Sequence, residues 1–122
     1  MEKSIPLREL FLTEEFMSFY DALPESVKHK FDYVLEIIRT EKILTTKHVK
    51  HLENTSLYEF RVSISSNEYR TIMFSMDNAN IIQAKNIIVL NGFMKKSTKD
   101  YKKQIKIAQT ILNRIFDENN KY

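Results

Sequence analysis

The chain has 122 residues, of which 43% are hydrophobic and 29% charged, a balance that suits one globular domain. It lacks cysteine, which excludes disulfides, thiolate zinc sites and thiol nucleophiles, and its single glycine excludes a glycine-rich phosphate loop. The net charge of +3 hides an asymmetry between the two parts of the chain. Residues 1–41 carry nine acidic and five basic side chains, whereas residues 42–122 carry seven acidic and fourteen basic side chains. A basic half suits a polyanionic partner, although a solvated lysine surface has the same composition.

The first third of the chain predicts one strand and two helices. Residues 7–12 have the composition of a short strand, and Thr13 fits an N-cap with acidic residues in the first turn. From Phe16 onward, apolar residues recur at i, i+3, i+4 and i+7, which predicts a short amphipathic helix. Pro24 ends this helix and begins a second one that reaches about Glu41. Two amphipathic helices in tandem predict a helical hairpin.

From residue 57 the apolar period changes from 3.6 to 2, which predicts β-structure. Three segments have the character of strands linked by short turns: residues 57–64, 69–76 and 87–90. Gly92 is expected to give the last strand a sharp exit. Residues 100–119 then predict a final helix, capped by Ser97 or Asp100.

The predicted order is therefore β-α-α-β-β-β-α. It favours an α+β fold in which an N-terminal helical hairpin and a C-terminal helix pack on a small antiparallel β-sheet. We expect one domain over residues 1–122. Residues 1–10 lack an apolar signal region, and no apolar run approaches the roughly 20 residues of a membrane helix. With the missing cysteines, this predicts a cytoplasmic protein without a membrane partner.

Metal and serine-triad chemistry have little support, because the three histidines are scattered and the acidic residues form no ligand pattern. What remains is a group of cations and one tyrosine that a compact sheet can bring to one side. Arginine binds phosphate in a bidentate manner and lysine acts as a point charge. Each residue alone is better explained as an ordinary surface side chain, but together they favour a phosphate-binding site. The group consists of Arg61, Arg70, Lys95, Lys96 and Tyr101.

Three segments carry a likeness to a known family: LYEFR at 57–61, YRTI at 69–72 and IIVLNGFMKK at 87–96. In this order they resemble the RelE/HigB superfamily and, within it, the phage-derived Gp49-like branch. That branch typically shows Leu-Tyr-Glu-Leu-Arg, Tyr-Arg and a strand that ends His-Gly-Phe-x-Lys-Lys. Here Asn91 replaces the histidine, and Gln104 stands where the final helix of the branch has glutamate. The likeness spans about residues 11–115.

The resemblance implies a RelE-like fold and the toxin of a type II toxin–antitoxin system. Such a toxin is an endoribonuclease that cleaves mRNA, usually on the ribosome, without a metal or another cofactor. The ribose 2′-hydroxyl attacks the adjacent phosphate, which requires a base, an acid for the leaving oxygen and cations for the developing charge. The catalytic residues that the resemblance implies by position are Arg61, Arg70, Lys96 and Tyr101.

Their roles follow from the same resemblance. Arg61 falls where the RelE type has a lysine near the attacking hydroxyl. Arg70 and Lys96 fall at the positions of arginines that stabilise the phosphate. Tyr101 lies one residue out of register with the catalytic tyrosine that precedes the last helix. Glu59 replaces a RelE lysine but agrees with the Gp49-like pattern. The base stays open, because a guanidinium hardly gives up its proton. The candidates for it are Lys50, His51 and Glu59. The residues expected to bind RNA are Lys50, His51, Lys95, Lys99, Lys102 and Lys103.

Two other classes of function stay open. A ParE-type toxin would share the fold and inhibit DNA gyrase, and a non-catalytic module would bind RNA or protein only. The expected partners are a cognate antitoxin, of the helix-turn-helix type by resemblance, together with the ribosome and mRNA.

Overall fold

The structure is a computed structural model that describes residues 5–119. Within this range the chain forms β1 (Glu9–Leu12), α1 (Glu14–Asp21), α2 (Glu25–Thr40), β2 (Lys50–His51), β3 (Leu57–Ile64), β4 (Asn67–Ser75), β5 (Asn86–Met94) and α3 (Thr98–Asn119). The predicted α+β class is confirmed. The single domain over residues 1–122 stays a prediction, because residues 1–4 and 120–122 lie outside the described part. None of the described helices is long and apolar enough to cross a membrane.

The strands form one sheet in the order β1-β5-β4-β3-β2. Three of the four neighbouring pairs are antiparallel, as predicted, whereas β1 lies parallel to β5. The long connection between β1 and β5 permits this parallel pairing. Strand β2 was not predicted from the sequence; its two residues pair with Tyr58 and Glu59 of β3. A strand of two residues is too short to show an alternating pattern.

The helical hairpin packs on one face of the sheet. The hydroxyl of Thr13 accepts a hydrogen bond from the backbone N–H of Phe16 at 3.0 Å, so the predicted N-cap is confirmed. Phe16 and Phe31 are fully buried, and the ring of Phe31 meets that of Phe60 edge to face at 5.6 Å. These aromatic contacts join α1 and α2 to β3, and each buried ring contributes about 1.5–3 kcal/mol relative to an exposed one.

Helix α3 packs on the opposite face. It begins at Thr98, two residues before the predicted start, because the hydroxyl of Ser97 accepts a hydrogen bond from the backbone N–H of Asp100 at 3.1 Å. The buried apolar cluster on this face consists of Leu52, Leu57, Ile72, Ile88, Leu90, Phe93, Ala108, Ile111 and Leu112. The sheet therefore lies between two layers of helix, with a separate apolar cluster on each face.

A β-bulge in β5 explains why this strand is longer than predicted. Ile72 of β4 pairs with Asn91, but the next residue of β4 pairs with Val89, so Leu90 is an extra residue. Pairing resumes beyond the bulge and continues to Met94. The prediction that β5 ends at residue 90 is therefore wrong, because the apolar run stops at the bulge while the hydrogen-bonded strand does not.

The predicted role of Gly92 is also wrong. This residue lies inside β5 and has no positive φ, so it does not make a turn. A Cβ atom at this position would lie 2.4 Å from two ring carbons of Phe19, well inside van der Waals contact. Glycine is therefore needed here because α1 lies so close to the backbone of β5.

Arg8 is a buried cation whose role was not predicted from the sequence. Its side chain is nearly inaccessible, and desolvation lowers the pKa of its guanidinium. It donates hydrogen bonds of 2.7–3.2 Å to five backbone carbonyls, those of Ile38, Glu41, Lys42, Ile81 and Ile82. Three of these carbonyls lie at the C-terminal end of α2, where the helix dipole favours a cation. Through these hydrogen bonds, Arg8 links the segment before β1 to the end of α2 and to the loop before β5.

The replacement Gly92→Ala should destabilise the fold by about 1–3 kcal/mol, because the new methyl group overpacks against Phe19. Urea unfolding of the parent, Gly92→Ala, Phe19→Leu and the double variant would measure this cost. We expect the double variant to be more stable than the sum of the single effects predicts. Additive effects would show that Phe19 is not the group that excludes a side chain at position 92.

Candidate active site

The polar cluster on the α3 face is centred on Glu59 of β3. This side chain is only 1% exposed, which is rare for a carboxylate. One of its oxygens accepts hydrogen bonds from Nη1 of Arg70 at 2.9 Å and from Nε of Arg61 at 3.2 Å. The hydroxyl of Tyr101 donates to the other oxygen. The carboxylate is therefore paired with two cations and a phenol from three different elements.

The strand register brings these groups together. Arg61 and Arg70 are directly opposite each other in the antiparallel pair of β3 and β4, and Glu59 lies two residues before Arg61 on the same face. The first turn of α3 then places Tyr101 above this face. Its ring meets that of Phe93 edge to face at 5.8 Å, and the guanidinium of Arg70 lies 5.2 Å from the ring centre.

The two arginines have different surroundings. The side chain of Arg70 is 5% exposed and bonds a second carboxylate, with its Nη2 2.6 Å from Glu68. That of Arg61 is 46% exposed and bonds Glu59 alone among the described residues. Arg61 is therefore the cation that meets solvent, whereas Arg70 is held between two carboxylates. A phosphate that reached Arg70 would compete with Glu68, whose side chain is 36% exposed.

Tyr101 keeps its proton at neutral pH. Burial and the hydrogen bond to Glu59 raise the pKa of its hydroxyl to about 12, with Arg70 acting in the opposite direction. A phenol with so high a pKa can donate a proton or a hydrogen bond, but it does not act as a base at neutral pH.

The predicted RNA-binding lysines are all exposed, and they lie on β2, just after β5 and in the first turns of α3. Lys50 of β2 is paired in register with Glu59, so its exposed side chain projects from the same face of the sheet. The other lysines follow β5 or lie in the first turns of α3, and all of them are exposed: Lys95, Lys96, Lys99, Lys102 and Lys103. Three of them line one shallow depression on α3: Lys99, Lys102 and Lys103.

His51 does not join the cluster. It is paired in register with Tyr58, on the face of the helical hairpin, and its ring lies 5.1 Å from that of Tyr58. Its Nε2 lies 2.7 Å from the carbonyl oxygen of Thr55, within the loop that follows β2. Of the three candidate bases, Glu59 is the centre of the cluster, Lys50 projects from the same face of the sheet, and His51 lies on the other face.

The part that Glu68 plays was not predicted from the sequence. A signal for it was present, because β3 and β4 each carry the pattern Glu-x-Arg, at residues 59–61 and 68–70. In a strand, residues i and i+2 lie on the same face, so each glutamate can reach its own arginine. Among residues 5–119, no group of three His, Asp or Glu side chains could hold a metal ion.

The replacement Arg70→Ala should destabilise the fold by about 3–5 kcal/mol, because it leaves the buried Glu59 without its closest cation. The matched control is Arg61→Ala, which removes an exposed partner of the same carboxylate and should cost about 1 kcal/mol or less. Thermal or urea unfolding of both variants would measure the difference. Equal losses would contradict the assignment of Arg70 as the cation on which the burial of Glu59 depends.

Comparisons with known proteins agree with this fold. The family profile described as "Phage derived protein Gp49-like (DUF891)" matches residues 18–113, which include every residue of the cluster. No curated protein sequence matches the chain.

Two solved structures from E. coli are similar in fold. One is the toxin RelE in the free state, as an arginine-to-alanine double mutant, with a TM-score of 0.56 and 13% identity over 84% of this chain and 97% of RelE. The other is the intact RelBE toxin–antitoxin complex, with a TM-score of 0.50 and 12% identity over 72% of this chain and 96% of the matched one. The chain has a RelE-like fold and belongs to the phage-derived Gp49-like family.

Proposed function

We propose that the chain is the toxin of a type II toxin–antitoxin pair and acts as a metal-independent endoribonuclease on mRNA, on the ribosome and in the cytoplasm. The observation that carries the proposal is the convergence of Arg61, Arg70 and a protonated Tyr101 on one carboxylate at the sheet surface. Exposed lysines lie on β2, just after β5 and in the first turns of α3, and such a cationic surface suits a polyanionic substrate. The family and the RelE-like fold support the same activity.

Each group has a role in strand cleavage by the neighbouring 2′-hydroxyl. That oxygen attacks the phosphorus and loses its proton to a base, the bond to the 5′-oxygen breaks, and an acid protonates the leaving oxygen. Arg61 contacts the phosphate from the solvent side, and Arg70, oriented by Glu59, stabilises the developing charge. Tyr101 supplies the proton for the leaving oxygen. Lys96, which is exposed just beyond β5, adds a further cation.

The base in this proposal is Glu59 or Lys50. Glu59 is inaccessible to solvent and already accepts three hydrogen bonds, which favours an orienting role for it. Lys50 is exposed on the same face, and in its neutral form its amine could accept the proton of a 2′-hydroxyl. His51 is set aside for this role because it lies on the other face.

The proposed partners are the ribosome, mRNA and a cognate antitoxin of the helix-turn-helix type. An antitoxin is required because an active ribonuclease would harm the cell that makes it. One of the similar solved structures is a toxin–antitoxin complex, which supports this part of the proposal. An antitoxin with an acidic contact surface would be steered to the basic half of the chain.

Arg61→Ala should slow mRNA cleavage by roughly a hundredfold, and Tyr101→Phe by a similar factor, because each removes a group that acts on the transition state. Cleavage would be followed by primer extension on a translated message, with Arg114→Ala as the matched control. The side chain of Arg114 is exposed to a similar extent, 52%, but it lies in the second half of α3 and bonds Glu15 of α1. A parent chain that leaves translation intact and instead blocks supercoiling by gyrase would favour the ParE-type alternative.

The lysines of α3 should set the salt dependence of RNA binding. Each phosphate that a lysine neutralises releases counterions, so affinity falls with salt by a slope of about 0.7 per contact on single-stranded RNA. Replacing Lys102 and Lys103 with glutamine should therefore flatten the slope by about 1.4. Lys47→Gln, an exposed lysine in the loop before β2, serves as the control. An unchanged slope in the double variant would exclude these lysines from the RNA interface.

A further inference from the structure

A groove beside the candidate active site has no assigned role. Strand β2 pairs with β3 only at Tyr58 and Glu59, so from Arg61 onward no described strand lies along the outer edge of β3. Helix α2 runs along this open edge and leaves a groove of about 380 Å³. A volume of this order falls in the range of small-ligand sites. We call it the Tyr33 groove. Its lining includes His29, Lys30, Tyr33, Arg61 and Val62.

Tyr33 contributes little to the core. It is 69% exposed, although it belongs to a helix whose opposite side carries the fully buried Phe31 and Ile38. His29 and Lys30 lie one helical turn before it, and both are exposed. The groove thus combines an exposed aromatic ring with cationic and imidazole side chains. Proteins that bind single-stranded nucleic acid use this combination to stack bases and neutralise the backbone.

The groove lies on the hairpin side of the sheet edge, and Arg61 is the residue that it shares with the polar cluster on the α3 face. This residue lines the groove and also bonds Glu59 through its Nε at 3.2 Å. A phosphate that contacts the exposed side of Arg61 would therefore lie between the two sites. No carboxylate is among the described residues that line the groove, and Glu36, one turn beyond Tyr33, is paired with Arg39 at 2.8 Å. The local charge favours a polyanion.

We propose that the Tyr33 groove is a nucleotide subsite, in which a base next to the scissile phosphate stacks on Tyr33. This inference rests on the proposed ribonuclease function, because it uses the same phosphate contact at Arg61. A peptide strand added to the open edge of β3 is the competing occupant. RNA is favoured over it because Nζ of Lys30 already bonds the edge carbonyl of Ser63 at 2.9 Å, which a peptide would need as an acceptor.

The test is binding of the full chain to a short 2′-O-methyl RNA, which retains bases and phosphates but cannot be cleaved by 2′-hydroxyl attack. Fluorescence anisotropy at low salt would give the affinity. Tyr33→Ala should bind about tenfold more weakly, in line with the loss of one stacked base, whereas Tyr33→Phe should bind like the parent. Ile43→Ala, which shortens another strongly exposed apolar residue (63% exposed), is the control. Melting temperatures would confirm that all four proteins are folded.

An abasic version of the same oligonucleotide separates stacking from charge. If the base stacks on Tyr33, removing the base at the matching position should abolish the difference between the parent and Tyr33→Ala. The subsite would be overturned by any of three results: the parent and Tyr33→Ala still differ in affinity for the abasic RNA, they bind the intact RNA equally well, or the parent binds no RNA. Loss of antitoxin binding in Tyr33→Ala, with RNA binding unchanged, would assign the groove to a protein partner instead. A parent that binds RNA through Tyr33 but cleaves no message would refute the proposed function and leave the subsite intact.

Discussion

The burial of the Glu59 carboxylate is the constraint on which the candidate active site depends. A charge removed from solvent costs several kcal/mol unless cations and hydrogen-bond donors compensate it. Here the compensation comes from Arg61 on the same strand, Arg70 on β4 and Tyr101 on α3. The pairing of β3 with β4 and the docking of α3 on the sheet therefore satisfy one carboxylate together. If β4 shifted along β3, or if α3 shifted on the sheet, the Glu59 carboxylate would stay buried without its partners.

Glu59 also explains how two arginines can occupy opposite positions in the sheet. Arg61 and Arg70 are cross-strand partners, and like charges in such a pair repel each other. One oxygen of Glu59 bonds both guanidinium groups. Glu68 supplies a second negative charge, which pairs with Arg70. The carboxylates thus hold two cations close together before any phosphate arrives. Preorganised cations of this kind stabilise a transition state without first having to rearrange.

The fold could be predicted from the sequence where the signal is local. The N-cap at Thr13, the helical hairpin and the alternation in β3 depend on neighbouring residues, and the structure confirms them. The sequence could not show the features that depend on distant contacts. The bulge at Leu90 arises from pairing with β4, and the need for glycine at position 92 arises from Phe19, a residue of α1. No periodic pattern within β5 encodes either of them.

The candidate site was harder to predict because it lies at a border on one face of the sheet. Helix α3 covers the face on one side of this border, and the face on the other side is exposed to solvent. Alternation assigns Leu57, Glu59, Arg61 and Ser63 to the same face, yet the first two are 1% exposed and the last two are exposed. Helix α3 covers the first part of this face and leaves the rest open. Glu59 and Arg70 therefore lie against a low-dielectric core, which strengthens their interaction, while Arg61 next to them meets solvent. This border leaves Arg61 exposed to an anionic ligand while Glu59 and Arg70 stay buried beside it, an arrangement that suits the proposed cleavage of RNA.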